Sequence, residues 1–310
     1  LRLAIKLAEY LPKKLNCTYF VNSGTEAIEG AIKLAKRKNG RKKVVSCYHS
    51  YHGSTQGSLS AVGEVKMREK FKPLIPNHIN IRYNNFDDLK ILNKEISSVI
   101  IEPIQGGTHF VVAKKAWLKE IRNKCNNNKI ELIFDEIQTG FGRTGKMFGF
   151  ELFNIKPDIL CLAKGMGGGM PIGAFISSKK NMNYLSYNPS LGHITTFGGH
   201  PASCAAALAT FNKLIKSNII KSISNKRKLF ENYLAHPKIK KIHGVGLMIA
   251  LELESEKFCE KIVKKILQNG VITFYFLFDK KNIRISPPLN ISNKDIISSC
   301  KIIRETLEKN

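Results

Sequence analysis

Between residues 40 and 180, short apolar runs alternate with longer helical or loop stretches: Val44-Val45-Ser46-Cys47, Ser98-Val99-Ile100-Ile101, Leu132-Ile133-Phe134, Ile159-Leu160-Cys161-Leu162-Ala163 and Gly173-Ala174-Phe175-Ile176. Polar residues do not alternate within these runs, so each predicts a strand covered on both faces, and their separation leaves room for crossovers. The pattern predicts an α/β fold with a mostly parallel sheet. Polar residues follow most of the runs, namely Tyr48-His49, Glu102, Asp135 and Lys164. Open α/β sheets bind ligands beyond the carboxyl ends of their strands, so these positions are expected to converge. The spacing of Ala27, Ile28, Ala31, Ile32 and Ala35 predicts a helix opened by Asn22-Ser23-Gly24-Thr25-Glu26 and stopped by Gly40. Beyond about residue 200, Ala202 to Ile215 has helical spacing, a Lys-rich amphipathic helix starts at Ser255, and Val271 to Phe278 suits a buried strand. We therefore expect a large domain over residues 1–205 and a smaller C-terminal α+β domain over residues 206–310.

With 310 residues and 43% hydrophobic positions, the chain exceeds what one small core holds; disorder, collagen and disulfide scaffolds are excluded. No apolar run approaches the roughly 20 residues that a spanning helix needs, so no membrane role is expected. The start, Leu1-Arg2-Leu3-Ala4-Ile5-Lys6, carries no leader pattern and no initiator Met, which marks a fragment or a mis-called start, and the default compartment is the cytoplasm. The seven cysteines never form a Cys-x-x-Cys pair, so neither a disulfide framework nor a metal site is expected. A net charge of +26 raises nucleic acid as a partner, but the excess, mostly Lys, is spread along the chain with Asn and Ile instead of forming one basic helix or arm. Drift toward A/T-rich codons produces the same pattern, and no specific nucleic-acid partner is expected; the base composition of the gene tests this reading.

Three candidate sites carry chemistry. Ser23 and Thr25 stand at a helix start, where free N–H groups and hydroxyls can cradle a phosphate; Ser23-x-x-Glu26 equally satisfies a capping box with no ligand. Asp135 ends an apolar run, where a carboxylate is costly without a partner, and it can bind a metal, hold a base or pair with a protonated ring nitrogen. Lys164 ends another run and is either a solvated strand-end lysine or, with a lowered pKa, a Schiff-base former. The run Gly165-Met166-Gly167-Gly168-Gly169 beyond it lets backbone approach whatever Lys164 holds. Together with the turn Tyr51-His52-Gly53, these are the anchor, ring stack, pyridinium partner and aldehyde trap that pyridoxal phosphate requires. Gly165-x-Gly167-x-x-Met170 lacks the third glycine of a dinucleotide fingerprint, and Gly142-Arg143-Thr144-Gly145-Lys146-Met147 lacks P-loop spacing.

At this point the chain resembles the class III, fold-type I pyridoxal-phosphate aminotransferases, the group that includes acetylornithine, ornithine and 4-aminobutyrate aminotransferases. The resemblance runs through Phe20 to Ala27, Tyr51-His52-Gly53, Glu102-Pro103-Ile104-Gln105-Gly106, Asp135 to Gly145, Ala163-Lys164-Gly165 with Pro171 to Ala174, and Thr195 to Gly199. It implies that Lys164 holds the cofactor aldehyde as a Schiff base and moves the proton. It further implies that Asp135 keeps the pyridinium nitrogen protonated, Gln138 bonds the ring-hydroxyl side, and Ser23, Gly24 and Thr25 hold the phosphate. Tyr51 and Ile137 would cover the two ring faces. Thr196 matches the residue that reaches the phosphate of a second subunit, which implies a homodimer with shared active sites. Arg284, in Ile283-Arg284-Ile285-Ser286-Pro287-Pro288, matches the Arg that grips the α-carboxylate of glutamate and 2-oxoglutarate.

The chain departs from the glutamate- and ornithine-using branch at Ser54, where Arg is usual, and at Gly107, where Glu is usual and pairs with the Arg matched by Arg284. Relatives also carry an N-terminal segment that helps to build the small domain. The expected reaction is transfer of an amino group from an ornithine-type donor such as N-acetylornithine, or an ω-amino donor, to 2-oxoglutarate. Within the class the alternatives are a 4-aminobutyrate transaminase or a glutamate-semialdehyde aminomutase; outside it, a decayed non-catalytic or nucleic-acid-associated protein.

Overall fold

The computed structural model describes residues 1–310. The chain forms two compact units, one built from Leu1–Pro103, Ala113–Phe141 and Phe148–Ile215, the other from Ile104–Val112, Gly142–Met147 and Lys216–Asn310.

The first unit is organised by seven strands: β1 (Cys17–Val21), β2 (Lys43–Cys47), β3 (His78–Ile81), β4 (Ile96–Ile101), β5 (Glu131–Asp135), β6 (Ile159–Leu162) and β7 (Gly173–Ser177). Their order is β1-β7-β6-β5-β4-β2-β3. From β6 to β3 the strands run parallel, whereas β7 is antiparallel to both of its neighbours. Every residue of β4, β5, β6 and β7 is buried, which is why those segments are apolar without alternation. The helix Gly24–Asn39 lays Ala27, Ile28, Ala31, Ile32 and Ala35 against Ile100, Ile133, Ile159 and Phe175. Gly40, at φ +69, closes that helix in the left-handed conformation expected of a C-terminal glycine. The edge strands β1 and β3 are only partly buried and have no counterpart among the apolar runs.

The second unit holds an antiparallel sheet of β8 (Lys241–His243), β9 (Ile249–Glu252), β10 (Phe274–Tyr275) and β11 (Asn282–Ile285), in the order β10-β11-β9-β8. The helices Ile219–Tyr233, Glu256–Gln268 and Asn293–Glu308 supply Phe230, Ile262, Ile266, Ile296 and Ile303 to its core. The run Val271 to Phe278 differs from the expected buried strand: only Phe274–Tyr275 pair with β11, and both are exposed. As the sheet edge, this segment sends only Thr273 and Phe276 fully inward, and its Phe278 N–H donates to the Gly107 carbonyl at 3.0 Å instead of extending the ladder.

Two tests follow from this packing. Both ring nitrogens of His78, on the edge strand β3, are shut off from solvent without a partner. Burial first, then the charges of Lys36, Arg68 and His52, push its pKa down from 6.5 to about 4. The folded chain thus refuses a proton that the unfolded chain accepts. The stability His78 confers is present above pH 6.5 and is lost as pH falls toward about 4. Urea titrations between those limits should show the wild type losing about 2 kcal/mol more than His78→Gln; parallel profiles would contradict this.

At Gly173, which pairs with Val21, an added Cβ would lie 2.3 Å from the Ser23 carbonyl oxygen. That oxygen accepts the Ala27 N–H at 3.2 Å and so starts the helix. Gly173→Ala should therefore displace the helix start and cost about 1–3 kcal/mol in urea unfolding, while an unchanged midpoint would show that the turn yields freely.

Candidate active site

Strands β5 and β6 are parallel neighbours, with Asp135 opposite Cys161, so Asp135 and the residues just beyond β6 emerge at the same edge of the sheet. Lys164 opens the 3-10 turn Lys164–Gly167 with φ +44, a left-handed backbone that is unfavourable for a side-chain-bearing residue. The lysine itself is exposed.

Asp135 is only 4% exposed. Its Oδ2 lies 2.8 Å from His52 Nδ1, and its Oδ1 accepts the Ile137 N–H at 3.1 Å. Burial lowers the pKa of His52, but the hydrogen bond and charge of Asp135, aided by Glu102, outweigh it and leave the imidazole above its ordinary range. His52 Nε2 is buried without a partner. Glu102, at the end of β4, accepts the Tyr51 N–H at 3.2 Å, so Tyr51-His52-Gly53 is tied to the ends of two adjacent strands. A carboxylate oxygen accepts more than one hydrogen bond, so Asp135 retains acceptor capacity for a cationic N–H.

At the start of the helix Gly24–Asn39, Ser23 is the N-cap, and its Oγ accepts the Glu26 N–H at 3.3 Å. The capping role open to Ser23 in the sequence is thus realised by its hydroxyl. The Glu26 carboxylate reaches back to Asn22, accepting from its N–H at 2.9 Å and from Nδ2 at 3.0 Å. A Cβ on Gly24 would lie 2.8 Å from Ile137 Cδ1, so Ile137 stands directly against the helix start. Thr25 Oγ1 lies 2.8 Å from Thr55 Oγ1 and 2.6 Å from Ser58 Oγ, which makes a cluster of hydroxyls beside the first-turn amides. Gly53, at φ +135, is required there because a Cβ would fall 2.4 Å from Thr25 Oγ1. The Thr55 hydroxyl itself donates to Glu29 Oε1 at 2.6 Å; the first-turn amides, at the positive end of a helix dipole, suit an anion such as phosphate.

The structure therefore brings Ser23, Gly24, Thr25, Ile137 and Asp135 together through stated contacts, and ties Tyr51 to the same strand ends. Gln138 is half-buried in the turn after β5, next to Ile137. Thr196 is exposed in a segment that Asn22 Nδ2 tethers through Thr195 Oγ1 at 3.0 Å, flanked by the exposed apolar side chains Ile194 and Phe197. Arg284 belongs to the second unit, half-buried on β11, with Phe110 and Phe276 beneath its guanidinium. In that unit Arg143 donates to the Pro287 carbonyl at 2.5 Å, and burial, with the like charge of Arg284, lowers its pKa to about 10.

Glu102, one of the strand-end positions expected to converge, is tied to Tyr51; three residues absent from the sequence reading of the site also emerge here, Thr55 and Ser58 beside Thr25, and Glu136. The last is fully buried; it accepts from Thr139 Oγ1 and Gly149 N–H at 2.6 Å each and from Phe150 N–H at 2.5 Å. Burial outweighs these donors and lifts its pKa to about 7. The hydroxyl-rich stretch Ser54-Thr55-Gln56-Gly57-Ser58 is the sequence signal that could have singled out two of the three. A buried carboxylate with spare acceptor capacity, a helix-start anion cradle, an apolar side chain against that cradle and a lysine past the adjoining strand together fit pyridoxal phosphate.

Comparison with known proteins gives the same family. The class-III aminotransferase profile matches residues 1–307. An acetylornithine aminotransferase of Clostridium acetobutylicum is 35% identical over 320 residues, covering 98% of this chain and 81% of that protein. The ornithine aminotransferase of Toxoplasma gondii superposes with a TM-score of 0.91 at 28% identity, covering 99% of this chain and 75% of that one. An adenosylmethionine-8-amino-7-oxononanoate aminotransferase from Methanocaldococcus jannaschii superposes at 0.89 and 30% identity, covering 99% and 78%. With its mostly parallel sheet, its buried Asp135 and its helix-start cradle, the chain belongs to the class-III, pyridoxal-phosphate-dependent aminotransferases.

Proposed function

We propose that this aminotransferase moves an amino group from an ornithine-type donor such as N-acetylornithine, or another ω-amino donor, to 2-oxoglutarate. The observation that supports it most is the 35% identity to an acetylornithine aminotransferase across 98% of the chain. Bound pyridoxal phosphate supplies an electron sink for the charge that develops at the substrate carbon. Asp135, oriented by His52 and the Ile137 N–H, would hold a proton at the ring nitrogen, and Lys164 Nζ would hold the aldehyde end of the group and serve as the base for the proton at the amine-bearing carbon. Ser23, Gly24 and Thr25 would hold the phosphate, Tyr51 and Ile137 the ring faces, and Gln138 the hydroxyl side. Arg284 grips the α-carboxylate of the acceptor through two parallel hydrogen bonds.

The working enzyme is a homodimer in which Thr196 completes the phosphate site of a second copy, and the exposed Leu191, Ile194 and Phe197 around it form part of the covered face. It acts in the cytoplasm, with no nucleic acid as a specific partner.

Borohydride reduction of the yellow holoenzyme should fix the cofactor on Lys164, and mass spectrometry that finds another lysine modified would overturn the assignment. Lys164→Ala should lose turnover by roughly four orders of magnitude or more while still binding cofactor. Asp135→Asn should lose at least about a hundredfold; near-normal turnover would remove the pyridinium role. A panel of amino donors tests the substrate reading, which fails if N-acetylornithine, ornithine and simple ω-amines are all inert. Arg284→Lys should raise KM for 2-oxoglutarate more than KM for the amine, since an ammonium cannot form the paired bonds. Equal effects on both substrates would refute its role.

A further inference from the structure

A cavity of about 1100 Å³ opens in the first unit, on the side of the sheet where the parallel strands begin. Its wall includes Lys156 to Asp158, which lead into β6, and Leu11 to Leu15, which lead into β1. Both strands are antiparallel to β7 and so start at one edge of the sheet, opposite to the edge from which Asp135 and Lys164 emerge. The cavity is therefore separate from the catalytic cradle. Its volume is at the upper end of small-molecule sites, which hold about 300–1,000 Å³.

Six of its fifteen lining residues are basic, namely Lys13, Lys14, Lys115, Lys119, Arg122 and Lys156, whereas the whole chain has 50 Lys and Arg among 310 residues. One lining residue is acidic, Asp158, and it is already engaged: its Oδ2 accepts from Arg122 Nη1 at 2.8 Å and from the Leu132 N–H at 2.9 Å. The remaining wall is largely apolar, with Leu11, Leu15, Phe153 and Ile155 each at most 8% exposed.

The helix Lys115–Asn128 sorts its charges with respect to this cavity. Lys115, Lys119, Arg122 and Asn126 follow one another at four, three and four positions, so they form one stripe along the helix, and all four line the cavity. Trp117, Leu118, Ile121 and Cys125 make the buried face. The one acid of the helix, Glu120, lies off the stripe and pairs with Lys124 at 3.9 Å. Like charges four positions apart repel, and a lysine at the start of a helix opposes its dipole, in a first turn that here holds no acid. Both penalties fall on residues that line the cavity, and a bound anion relieves both. Arg122 Nε is moreover a buried donor without a partner, which is costly unless an acceptor is supplied.

We propose that this cavity binds a small organic polyanion, a molecule with two or more phosphate or carboxylate groups on an apolar body. The lysines meet its charged groups as mobile point charges, and Arg122, held by Asp158, meets them from a fixed position. The apolar wall takes the body of the ligand. Because the site lies at the opposite edge of the sheet from Asp135, its occupancy does not depend on which amino donor the enzyme uses.

The test titrates the holoenzyme, whose catalytic anion cradle is already filled by cofactor, with ATP and with tripolyphosphate in phosphate- and magnesium-free buffer at physiological salt, read by calorimetry. Wild type should bind one ATP per chain, and Lys115→Gln/Lys119→Gln and Lys13→Gln/Lys14→Gln should each weaken binding about tenfold. The pair Lys257→Gln/Lys261→Gln, likewise four apart and exposed, but on the helix Glu256–Gln268 of the second unit, should change Kd less than about twofold. Tripolyphosphate, which has no apolar body, should bind at least about fivefold more weakly than ATP. ATP should also raise the Tm of wild type more than that of Lys115→Gln/Lys119→Gln, a readout independent of turnover. No ATP binding at about 1 mM, equal losses in the second-unit pair, or equal affinity for tripolyphosphate overturns the proposal.

Discussion

A carboxylate withdrawn from water at the end of a central parallel strand has to be paired, and the geometry of the first unit follows from how Asp135 meets that demand. Its two oxygens are served by His52 and by the Ile137 N–H. The first contact draws the 51–53 turn across the ends of β4 and β5, where Glu102 takes the Tyr51 N–H. The second shapes the turn that sets Ile137 against Gly24, and so fixes the helix start relative to the strand end. The helix start and the buried carboxylate are thus placed by one connected set of contacts. Glu136, pointing the other way along the same strand end, ties the chain to Gly149 and Phe150, so successive carboxylates brace opposite sides of one turn.

The legibility of this fold in the sequence follows burial. Ile100, Ile133 and Phe134 lie in strands covered on both faces, so their segments read as apolar runs without polar alternation. Cys17–Val21 and His78–Ile81 are edge strands with mixed exposure, and there the periodicity fades. Val271 to Phe278 misleads for the opposite reason: its apolar residues are largely exposed at an edge, so hydrophobicity does not report a position in the core. Within the site, Asp135 and Lys164 are legible because a polar residue ending an apolar run is conspicuous. Thr55 and Ser58 are not, since they act through Thr25, 30 and 33 positions away in the chain. The helix start occupies middle ground. Its spacing predicts both a cap and a cradle, and the structure gives the Ser23 hydroxyl the cap.

The two units deal with charge differently. In the first, acidic groups are enclosed and matched by N–H donors. In the second, burial and the like charge of Arg284 disfavour the charge of Arg143, which donates to carbonyl oxygens, while Arg284 lies beside aromatic faces. Guanidinium tolerates both solutions because it is planar and weakly hydrated; an ammonium would lose most of either.

The second unit is also not a continuous stretch of chain. Ile104–Val112 and Gly142–Met147 belong to it, although the rest begins only at Lys216. On the ribosome, at 5–20 residues per second, Phe110 emerges on the order of ten seconds before Phe276, the ring it packs against. Until then an aromatic side chain and a loop shaped to receive a sheet wait without that sheet, a period in which a chaperone would find an obvious handle. A fragment beginning at Lys216 would lack both inserted segments and leave Phe276 uncovered. For this chain, the unit that evolution can exchange or an engineer can transplant is therefore set by three separate segments, and a single cut between residues 215 and 216 would sever a core instead of freeing a domain.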